Sequence, residues 1–370
     1  MAEPVRVGLV GCGAISGQYL KMARNFPILQ IVACADLERE RALARAQEFD
    51  IPRVCTTEEL LADDEVELVL NLTVPQAHAP VTLAAIEHGK HVYSEKPLAI
   101  TREDGRKILA AAAARGVRVG CAPDTVLGAG IQTARKLVDE GAIGRPVAFT
   151  AFMMGHGHES WHPNPEFYYQ PGGGPMLDMG PYYITALLNL LGPITRLTGV
   201  ATIAIPERVI TSKPKYGQII RVQTPDHICG TIEFACGAAG TIITSFAVWH
   251  PVYDKAFPIT IYGTDGTLRV PDPNRFDGPV QLRGASDEEW REIPHAFVTG
   301  YGRAVGVADM AYAIRSGRPH RCTGEQAFAV LDVMLGFLDS AETGTAYKPA
   351  APYERPAPML PDLPFGTLDE

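Results

Sequence analysis

The sequence predicts a two-domain α/β protein, in which a doubly wound parallel sheet precedes an α/β domain with a large, mostly antiparallel open sheet. The chain has 370 residues, which is more than a single hydrophobic core usually serves. As far as residue 124, apolar runs without polar alternation are separated by helical patterns, as in a parallel sheet covered on both faces. From residue 125 the segments are β-rich, and the turns ACGAAG and GTDG are typical of hairpins.

Each element follows from its local pattern. The strands of the first domain are VRVGLV, IVACAD, VELVLNLTVP, HVYSEKP and VRVGCAP, and the helices between them are GQYLKMARNF, RALARAQEFD, APVTLAAIEHGK and REDGRKILAAAAARG. A helix over TVLGAGIQTARKLVDEGAIG opens the second domain, whose strands are PVAFTAFMMGHG, RLTGVATIAI, HICGTIEFA, GTIITSFAVW, PITIYGTDGTLRV and VQLRG. Helices over ADMAYAIRSGRPH and EQAFAVLDVMLGFLDSAETG close this domain. We therefore predict domains at 1–124 and 125–346, and a proline-rich tail extended over the surface at 347–370.

Composition narrows the class of protein. The formal net charge is -9 without a block of basic residues, so nucleic acid is not an expected partner. No apolar window reaches the length of a membrane span, and the N-terminus lacks a signal-peptide pattern. The seven cysteines are scattered, odd in number and without a CxxC pair, which favours reduced thiols. These observations predict a cytoplasmic protein without a membrane partner.

The turn GCGAIS between the first strand and the first helix nearly matches GxGxxG, with Ser16 in place of the third glycine. Such a turn brings a dinucleotide diphosphate to the N-terminus of the helix. Asp36 ends the second strand, where a carboxylate binds the ribose hydroxyls and repels a 2′-phosphate. The pattern favours NAD over NADP, although Arg39 nearby weakens the preference. The predicted cofactor residues of this turn are Gly11, Gly13, Ala14, Ile15 and Asp36.

NLTVP and EKP end two further strands, so their last residues should reach the ligand edge of the sheet. Pro97 restricts Lys96 to an extended conformation and so directs its side chain. The alternative is a solvated lysine at an ordinary junction between strand and loop. The predicted cofactor contacts at this edge are Thr73, Pro75, His78, Glu95 and Lys96. His78 could equally be a capping or packing histidine at the start of its helix.

The stretch PGGGPMLDMGPYY contains a second group of residues whose side chains could take part in a reaction. Asp178 and Tyr182 lie four positions apart and share one face of the predicted helix. A carboxylate and a phenol beside an ammonium can relay a proton. The alternative is a buried aspartate that caps the helix above a core tyrosine.

The loop HGHESWHPNPEFYY is rich in hydrogen-bond donors and aromatic rings. Its histidines do not have a standard zinc spacing, so we predict no metal site. Instead the aromatic rings, including Tyr169, could stack on a sugar while the histidines bind hydroxyl groups. The predicted substrate-binding residues are Lys96, His156, His158, Trp161, His162, Tyr168, Asp178 and Tyr182.

In this order, GCGAIS, Asp36, NLTVP, EKP and GGGPMLDMGPYY resemble the glucose–fructose oxidoreductase, inositol dehydrogenase and rhizopine-catabolism (Gfo/Idh/MocA) family. The resemblance covers nearly the whole chain. It implies a Rossmann domain with an α/β domain whose open sheet forms a homodimer or homotetramer. It also implies that Lys96 contacts substrate and cofactor, and that Lys96, Asp178 and Tyr182 are catalytic. Many members have histidine at the position of Tyr182 and aspartate at that of Thr185, so the proton acceptor here, Tyr182 or Lys96, is left open.

The resemblance implies an NAD-dependent oxidoreductase that transfers hydride between nicotinamide and a secondary hydroxyl or keto group of a sugar, glycoside or cyclitol. Three alternatives stay open at this point. One is a glycoside-cleaving enzyme that oxidises its sugar transiently with retained NAD. The others are a dihydrodiol-type dehydrogenase and a non-catalytic, sugar-responsive regulator.

Overall fold

The computed structural model describes residues 3–369, which form two compact units, each built from separate stretches of the chain. The first unit contains 3–132, 295–328 and 356–369, and the second contains 133–294 and 329–355. The domains predicted from the sequence are contiguous. The structure differs because 295–328 and the end of the tail pack with the first unit.

The first unit is built on a parallel sheet whose strands are β1 (Val5–Val10), β2 (Leu29–Ala35), β3 (Leu68–Asn71), β4 (His91–Ser94) and β5 (Val119–Cys121). The strand order is β2-β1-β3-β4-β5, and every pair is parallel. Val10 pairs with Asn71, which in turn pairs with Ser94, so the carboxyl ends of β1, β3 and β4 meet at one edge. Ligands of open parallel sheets bind at this edge, where the strand order reverses.

The described residues form helices in both units. They are α1 (Ser16–Ala23), α2 (Arg39–Phe49), α3 (Thr57–Ala62), α4 (Pro75–Glu87), α5 (Arg102–Arg115), α6 (Ala129–Asp139), α7 (Gly174–Leu191), α8 (Val305–Ser316) and α9 (Gly324–Thr343). The short helix α3 is not predicted by the apolar pattern. It forms because Thr56 and Glu59 make a reciprocal capping box at its start.

Helix α8 belongs to the first unit because Asp124 receives its N-terminus. The carboxylate of Asp124 is buried and accepts the backbone N–H groups of Ala304 and Gly306 at 3.0 and 3.1 Å. Burial raises the pKa of Asp124, although the N–H donors of the helix oppose that effect. At the other end of α8, Arg315 makes two hydrogen bonds to Glu67, at 2.8 and 3.0 Å.

The proline-rich tail is irregular, but its last part is anchored rather than loosely extended. The backbone N–H of Met359 donates to Oε1 of Gln132 at 2.9 Å. Arg321 donates to Asp369 at 2.7 Å, and the side chain of Leu368 is buried. Residues 356–369 therefore contribute to the core of the first unit.

The second unit contains a large sheet and a short ribbon. The strands are β6 (Pro146–Met154), β7 (Ile194–Thr202), β8 (Glu207–Val209), β9 (Ile219–Arg221), β10 (His227–Phe234), β11 (Ala239–Ser245), β12 (Ile259–Gly263), β13 (Gly266–Val270), β14 (Val280–Gly284) and β15 (Arg291–Ile293). The large sheet has the order β15-β14-β13-β12-β6-β11-β10-β7, while β8 and β9 form the ribbon. Apart from β6 with β11, the pairs described in this sheet are antiparallel, which confirms the predicted architecture.

Helix α7 packs on β6, β10 and β11 and forms the core of the second unit. Its side chains are buried except for those of Asp178 and Met179. Although α7 is long and apolar, no helix in the described part of the chain meets the requirements for crossing a membrane.

Candidate active site

The glycine turn after β1 has the shape that a diphosphate requires. Gly11 has a φ of +96°, and a Cβ atom there would lie 2.7 Å from the carbonyl oxygen of Leu72. Above Gly13, by contrast, a Cβ atom would meet nothing within 4 Å. Ser16 is buried and its hydroxyl donates to the carbonyl oxygen of Gly13 at 2.6 Å. The turn is closed on the protein side and open on the other, so it fits a dinucleotide.

Asp36 supports this turn directly. Its carboxylate accepts the backbone N–H of Cys12 at 2.7 Å and that of Glu38 at 2.8 Å. A carboxylate oxygen has two lone pairs, so both oxygens can still accept a ribose hydroxyl. Ala14 is exposed in the turn, and Ile15 is the N-cap of α1. The cofactor contacts of these residues stay a prediction.

Lys96 is positioned through its backbone by Glu95. One oxygen of the buried Glu95 carboxylate accepts the N–H of Lys96 at 2.9 Å. The other accepts the hydroxyl of Tyr19 at 2.8 Å, and Tyr19 is fully buried in α1. Tyr19, Glu95 and Lys96 therefore connect the helix after the glycine turn to the loop after β4. Glu95 supports this loop, and its carboxylate is already occupied by two protein donors.

His78 connects the loops after β3 and β4. Its ring is buried, with Nδ1 2.6 Å from the carbonyl oxygen of Pro97 and Nε2 3.0 Å from that of Thr73. Burial lowers the pKa of His78, and a neutral ring donates to only one of these two oxygens. The Thr73 hydroxyl donates to Asn71 at 2.7 Å, and Pro75 begins α4. The side chain of His78 thus has the packing role, and the loops that it joins are those predicted to face the cofactor.

Asp178 and Tyr182 lie on α7 in the second unit, one turn apart as predicted. The side chain of Asp178 is 17% exposed in a helix that is otherwise nearly all buried. Tyr182 is buried. Gly174, at the start of this helix, has a φ of +86°, and a Cβ atom there would approach the carbonyl oxygen of Pro225 to 2.8 Å. The glycine run therefore lets α7 begin close against a neighbouring loop.

The histidine-rich loop after β6 reaches the same helix. Nε2 of His158 lies 3.6 Å from Oδ2 of Asp178. The His158 ring stacks on Tyr168, with centroids 3.7 Å apart, and Trp161 lies 5.2 Å away with 63% of its surface exposed. His158, Trp161, Tyr168 and Asp178 thus form one cluster of partly accessible polar and aromatic groups.

His156 and His162 are in the same loop but have other neighbours. The ring of His156 stacks on Trp249, with centroids 3.4 Å apart, and burial lowers the pKa of His156. His162 accepts the N–H of Asn164 on Nδ1 at 3.0 Å, and its ring is 5.5 Å from that of Trp161. Among the described residues, no group of three or more histidine, cysteine, aspartate or glutamate side chains is arranged to hold a metal ion.

The predicted stacking of Tyr169 on a substrate is wrong. Its ring is fully buried, and its hydroxyl donates to Glu159 while accepting the N–H of His158 at 3.0 Å. Glu159 also accepts Arg208 at 2.8 Å, and Arg208 donates to Asp226 at 2.8 Å. Burial disfavours the charged guanidinium, but its hydrogen bonds to the two carboxylates keep the pKa of Arg208 above its usual value.

Three supporting residues carry no recognisable signal in the sequence. Tyr19 lies in an ordinary helical pattern, and Arg208 is in a short strand without a motif. Arg45 on α2 donates to the Ser16 hydroxyl at 3.0 Å and to the carbonyl oxygen of Gly13 at 3.3 Å. Only the three-dimensional fold brings these side chains to the loops that they support.

Comparison with known proteins finds a matching family model for part of each unit. Residues 5–122 match the family described as "Oxidoreductase family, NAD-binding Rossmann fold", and residues 131–269 match the "GFO/IDH/MocA C-terminal domain". A trans-1,2-dihydrobenzene-1,2-diol dehydrogenase of Mus musculus is 30% identical, over 78% of this chain and 80% of that protein. The chain belongs to the GFO/IDH/MocA oxidoreductase family. Membership confirms the predicted family, fold class, oxidoreductase class and NAD cofactor.

Two further proteins align with nearly the whole chain. A 1,5-anhydro-D-fructose reductase of Ensifer adhaerens is 29% identical, over 92% of this chain and 97% of that protein. A levoglucosan dehydrogenase, solved in complex with NADH and levoglucosan, superposes with a TM-score of 0.81. It covers 94% of this chain and 100% of its own, and its 23% identity supports the fold alone.

Proposed function

We propose that this protein transfers hydride between NAD and a secondary hydroxyl or keto group of a sugar, glycoside or cyclitol. The observation that carries the proposal is the connection from Tyr19 through Glu95 to Lys96, at the edge of the sheet that carries the glycine turn. It holds an ammonium-bearing residue at the carboxyl end of β4, close in the fold to the residues that fit a dinucleotide. The relatives named 1,5-anhydro-D-fructose reductase and trans-1,2-dihydrobenzene-1,2-diol dehydrogenase support the same class of reaction.

In this proposal the cofactor is held by Gly11, Gly13, Ala14, Ile15 and Asp36, with further contacts from the loops after β3 and β4. NAD, when bound, takes up the hydride that leaves the carbinol carbon. The chain must bind the hydroxyl, orient it and remove its proton. Lys96 stabilises negative charge on the reacting oxygen, because an ammonium favours an alkoxide.

The second unit supplies the other proposed contacts. Asp178 and Tyr182 bind hydroxyl groups of the substrate, together with the loop that contains His156, His158 and His162. The aromatic ring of Tyr168 and the exposed ring of Trp161 offer faces on which a sugar can stack.

The test is turnover by the purified protein with NAD, and separately NADP, across pyranoses, cyclitols, glycosides and trans-dihydrodiols. NADH absorbance and products are followed together. The Lys96→Met variant should lower kcat by about 10²-fold or more while NAD binding persists. Lys107→Met, a change at an exposed lysine on α5, serves as the matched control and should leave kcat unchanged. Full turnover by Lys96→Met would remove Lys96 from the mechanism.

A dihydrodiol-type dehydrogenase is the second candidate. Rings of Tyr168, Phe246 and Trp161 lie 3.7, 4.5 and 5.2 Å from that of His158, an environment that suits a flat ring as well as a sugar. The mouse relative is named for such a diol. A higher kcat/KM for trans-dihydrodiols than for every pyranose would favour this candidate. Aglycone release without NADH would instead indicate a glycoside-cleaving enzyme.

We also propose that the protein self-associates through the open face of its large sheet. Alternate residues there are threonine or apolar and partly exposed, including Thr150, Val200, Thr241 and Tyr262. The Thr241→Arg variant places a charge in this face and should shift a dimer or tetramer to a smaller species in analytical ultracentrifugation.

We further propose a cytoplasmic location, which is supported by the absence of disulfides among the seven cysteines of the described chain.

A further inference from the structure

His158 and Asp178 meet on the accessible side of α7. The distance from Nε2 to Oδ2 is 3.6 Å, which is too long for a direct hydrogen bond but within the range of an ion pair. At that separation, the carboxylate can form an ion pair with the ring once the ring has accepted a proton. The two side chains are 13% and 17% exposed, so they are accessible to a small ligand but largely shielded from water.

The ring of His158 is held in place from several sides. Tyr168 stacks on it at 3.7 Å with an interplanar angle of 9°, and Phe246 meets it edge-on at 4.5 Å. Its backbone N–H donates to the Tyr169 hydroxyl at 3.0 Å, and its carbonyl oxygen accepts the N–H of His162 at 2.9 Å. An orienting shell of this kind is what a group that transfers protons requires.

The backbone of this loop is fixed by the buried Arg208. Its guanidinium donates to the carbonyl oxygen of His156 at 2.5 Å and to Glu159 at 2.8 Å. Between these residues, Gly157 has a φ of +116°, and a Cβ atom there would collide with the Tyr169 hydroxyl and the Glu159 carboxylate. The chain thus places a glycine, an arginine and a glutamate where they determine the position of the following histidine.

The chemistry of the neighbouring side chains favours His158 over Tyr182 as the proton acceptor. A phenol has an ordinary pKa near 10 and a histidine one near 6.5, so imidazole accepts a proton far more readily at neutral pH. The carboxylate of Asp178 beside it stabilises the imidazolium that results. A lysine amine has an ordinary pKa near 10.4, so as a residue type it is suited to binding the oxygen as an ammonium rather than accepting its proton.

We propose that His158 is the proton acceptor of the reaction and that Asp178 stabilises the imidazolium. This inference rests on the proposed oxidoreductase function. In the Nδ1–H tautomer, the lone pair of Nε2 takes the hydroxyl proton as the O–H bond breaks. The carbinol carbon loses hydride, with its electron pair, to the oxidised nicotinamide, and the C–O bond becomes a carbonyl. In the reductive direction His158 returns the proton to the oxygen.

The test is chemical rescue in the full-length protein loaded with NAD. His158→Ala should lower kcat by about 10²- to 10⁴-fold while the affinity for NADH, measured by fluorescence titration, stays within about twofold. Added 4-methylimidazole should restore at least a tenth of the lost kcat, because it can occupy the vacated space and accept the proton. His227→Ala is the control, since His227 lies on β10 outside the proposed site, and it should keep kcat and be insensitive to imidazole.

The possible outcomes distinguish the role of His158 from the oxidoreductase function itself. Loss of kcat that imidazole restores supports the assignment of His158. Loss that imidazole does not restore in His158→Ala, with kcat retained in the better-packed His158→Gln, whose amide cannot accept the proton, means that His158 is structural, and it overturns the proposal. A variant with undiminished kcat beside an active wild type also overturns it, while the oxidoreductase function stands. A wild type that produces no NADH with any substrate of the panel overturns both.

Discussion

Replacing Arg208 with leucine removes the positive charge from between two buried carboxylates. The guanidinium side chain is 1% exposed, and those of Glu159 and Asp226 are 9% and 0% exposed. It also donates to the carbonyl oxygens of His156 and Phe246, at 2.5 and 2.8 Å, and lies over the ring of Tyr169. The substitution therefore removes the guanidinium donor from four acceptors, which are two carboxylates and two backbone carbonyl oxygens.

The expected loss of stability follows from these contacts. Removing one partner of a buried ion pair typically costs about 3–5 kcal/mol. Asp226 keeps two backbone N–H donors, at 2.6 and 3.2 Å, and Glu159 keeps the Tyr169 hydroxyl. Because both carboxylates keep some donors, we expect a cost of about 3 kcal/mol, at the lower end of that range. For a unit of this size, that corresponds to a fall in Tm of about 6–12 °C.

Tryptophan fluorescence measures this effect selectively. The three tryptophans of the chain lie in 133–294, so their emission reports on unfolding of the second unit. Arg221→Leu is the matched control, because Arg221 is 84% exposed and lies 3.7 Å from Glu207. Removal of such a surface pair costs about 0–1 kcal/mol. If both variants lower the midpoint equally, the Arg208 network does not stabilise the second unit.

Three further predictions concern the first unit. His78→Leu removes the ring contacts of the carbonyl oxygens of Pro97 and Thr73. It should lower the free energy of unfolding, monitored by circular dichroism, by about 2 kcal/mol. His88→Leu, at an exposed histidine, should lower it by less than about 0.5 kcal/mol. Asp36→Ser should raise KM for NAD about tenfold, which corresponds to about 1.4 kcal/mol of binding free energy. It should also reduce the preference for NAD over NADP. An unchanged ratio of kcat/KM for NAD to kcat/KM for NADP would contradict the role assigned to Asp36. Burial favours a higher pKa for Glu67, but its hydrogen bonds to Arg315 prevail and hold the pKa below the usual 4.5. Glu67→Gln should therefore cost about 1–2 kcal/mol at pH 7, and the difference from the wild type in urea unfolding should shrink as the pH falls below 4.5.

Much of the nucleotide-binding unit could be predicted because its signals are local. A buried strand, a glycine that needs positive φ and an acidic residue at the end of the next strand occur within 36 residues of the N-terminus. Pro97 restricts the backbone of Lys96, and in the structure Glu95 accepts the N–H of Lys96.

Contacts between distant parts of the chain could not be predicted in the same way. The carboxylate of Asp124 meets Ala304 across 180 positions, and no periodic pattern encodes such a partner. This contact explains why contiguous domain boundaries did not describe the fold.

Adjacent residues of one type posed a different difficulty. Tyr168 and Tyr169 follow each other in a 3-10 turn, yet Tyr168 stacks on His158 while Tyr169 is fully buried beneath the loop. Composition suggests that aromatic side chains line a site, but it does not tell which neighbour faces inward. That choice depends on Glu159 and Arg208, which the tertiary fold brings to the Tyr169 hydroxyl.

The discontinuity of the first unit has a consequence for biosynthesis. When residues 1–132 leave the ribosome, Asp124 has none of the N–H donors of Ala304 and Gly306, and Gln132 lacks Met359. The remaining segments follow roughly 10–50 s later at about 5–20 residues per second. The dinucleotide-binding sheet therefore stays incompletely packed while the ribosome synthesises the second unit, whose residues separate the stretches of the first unit. For this protein the first unit to emerge is the last to be completed, and the apolar surface that the closing segments cover stays exposed during that interval.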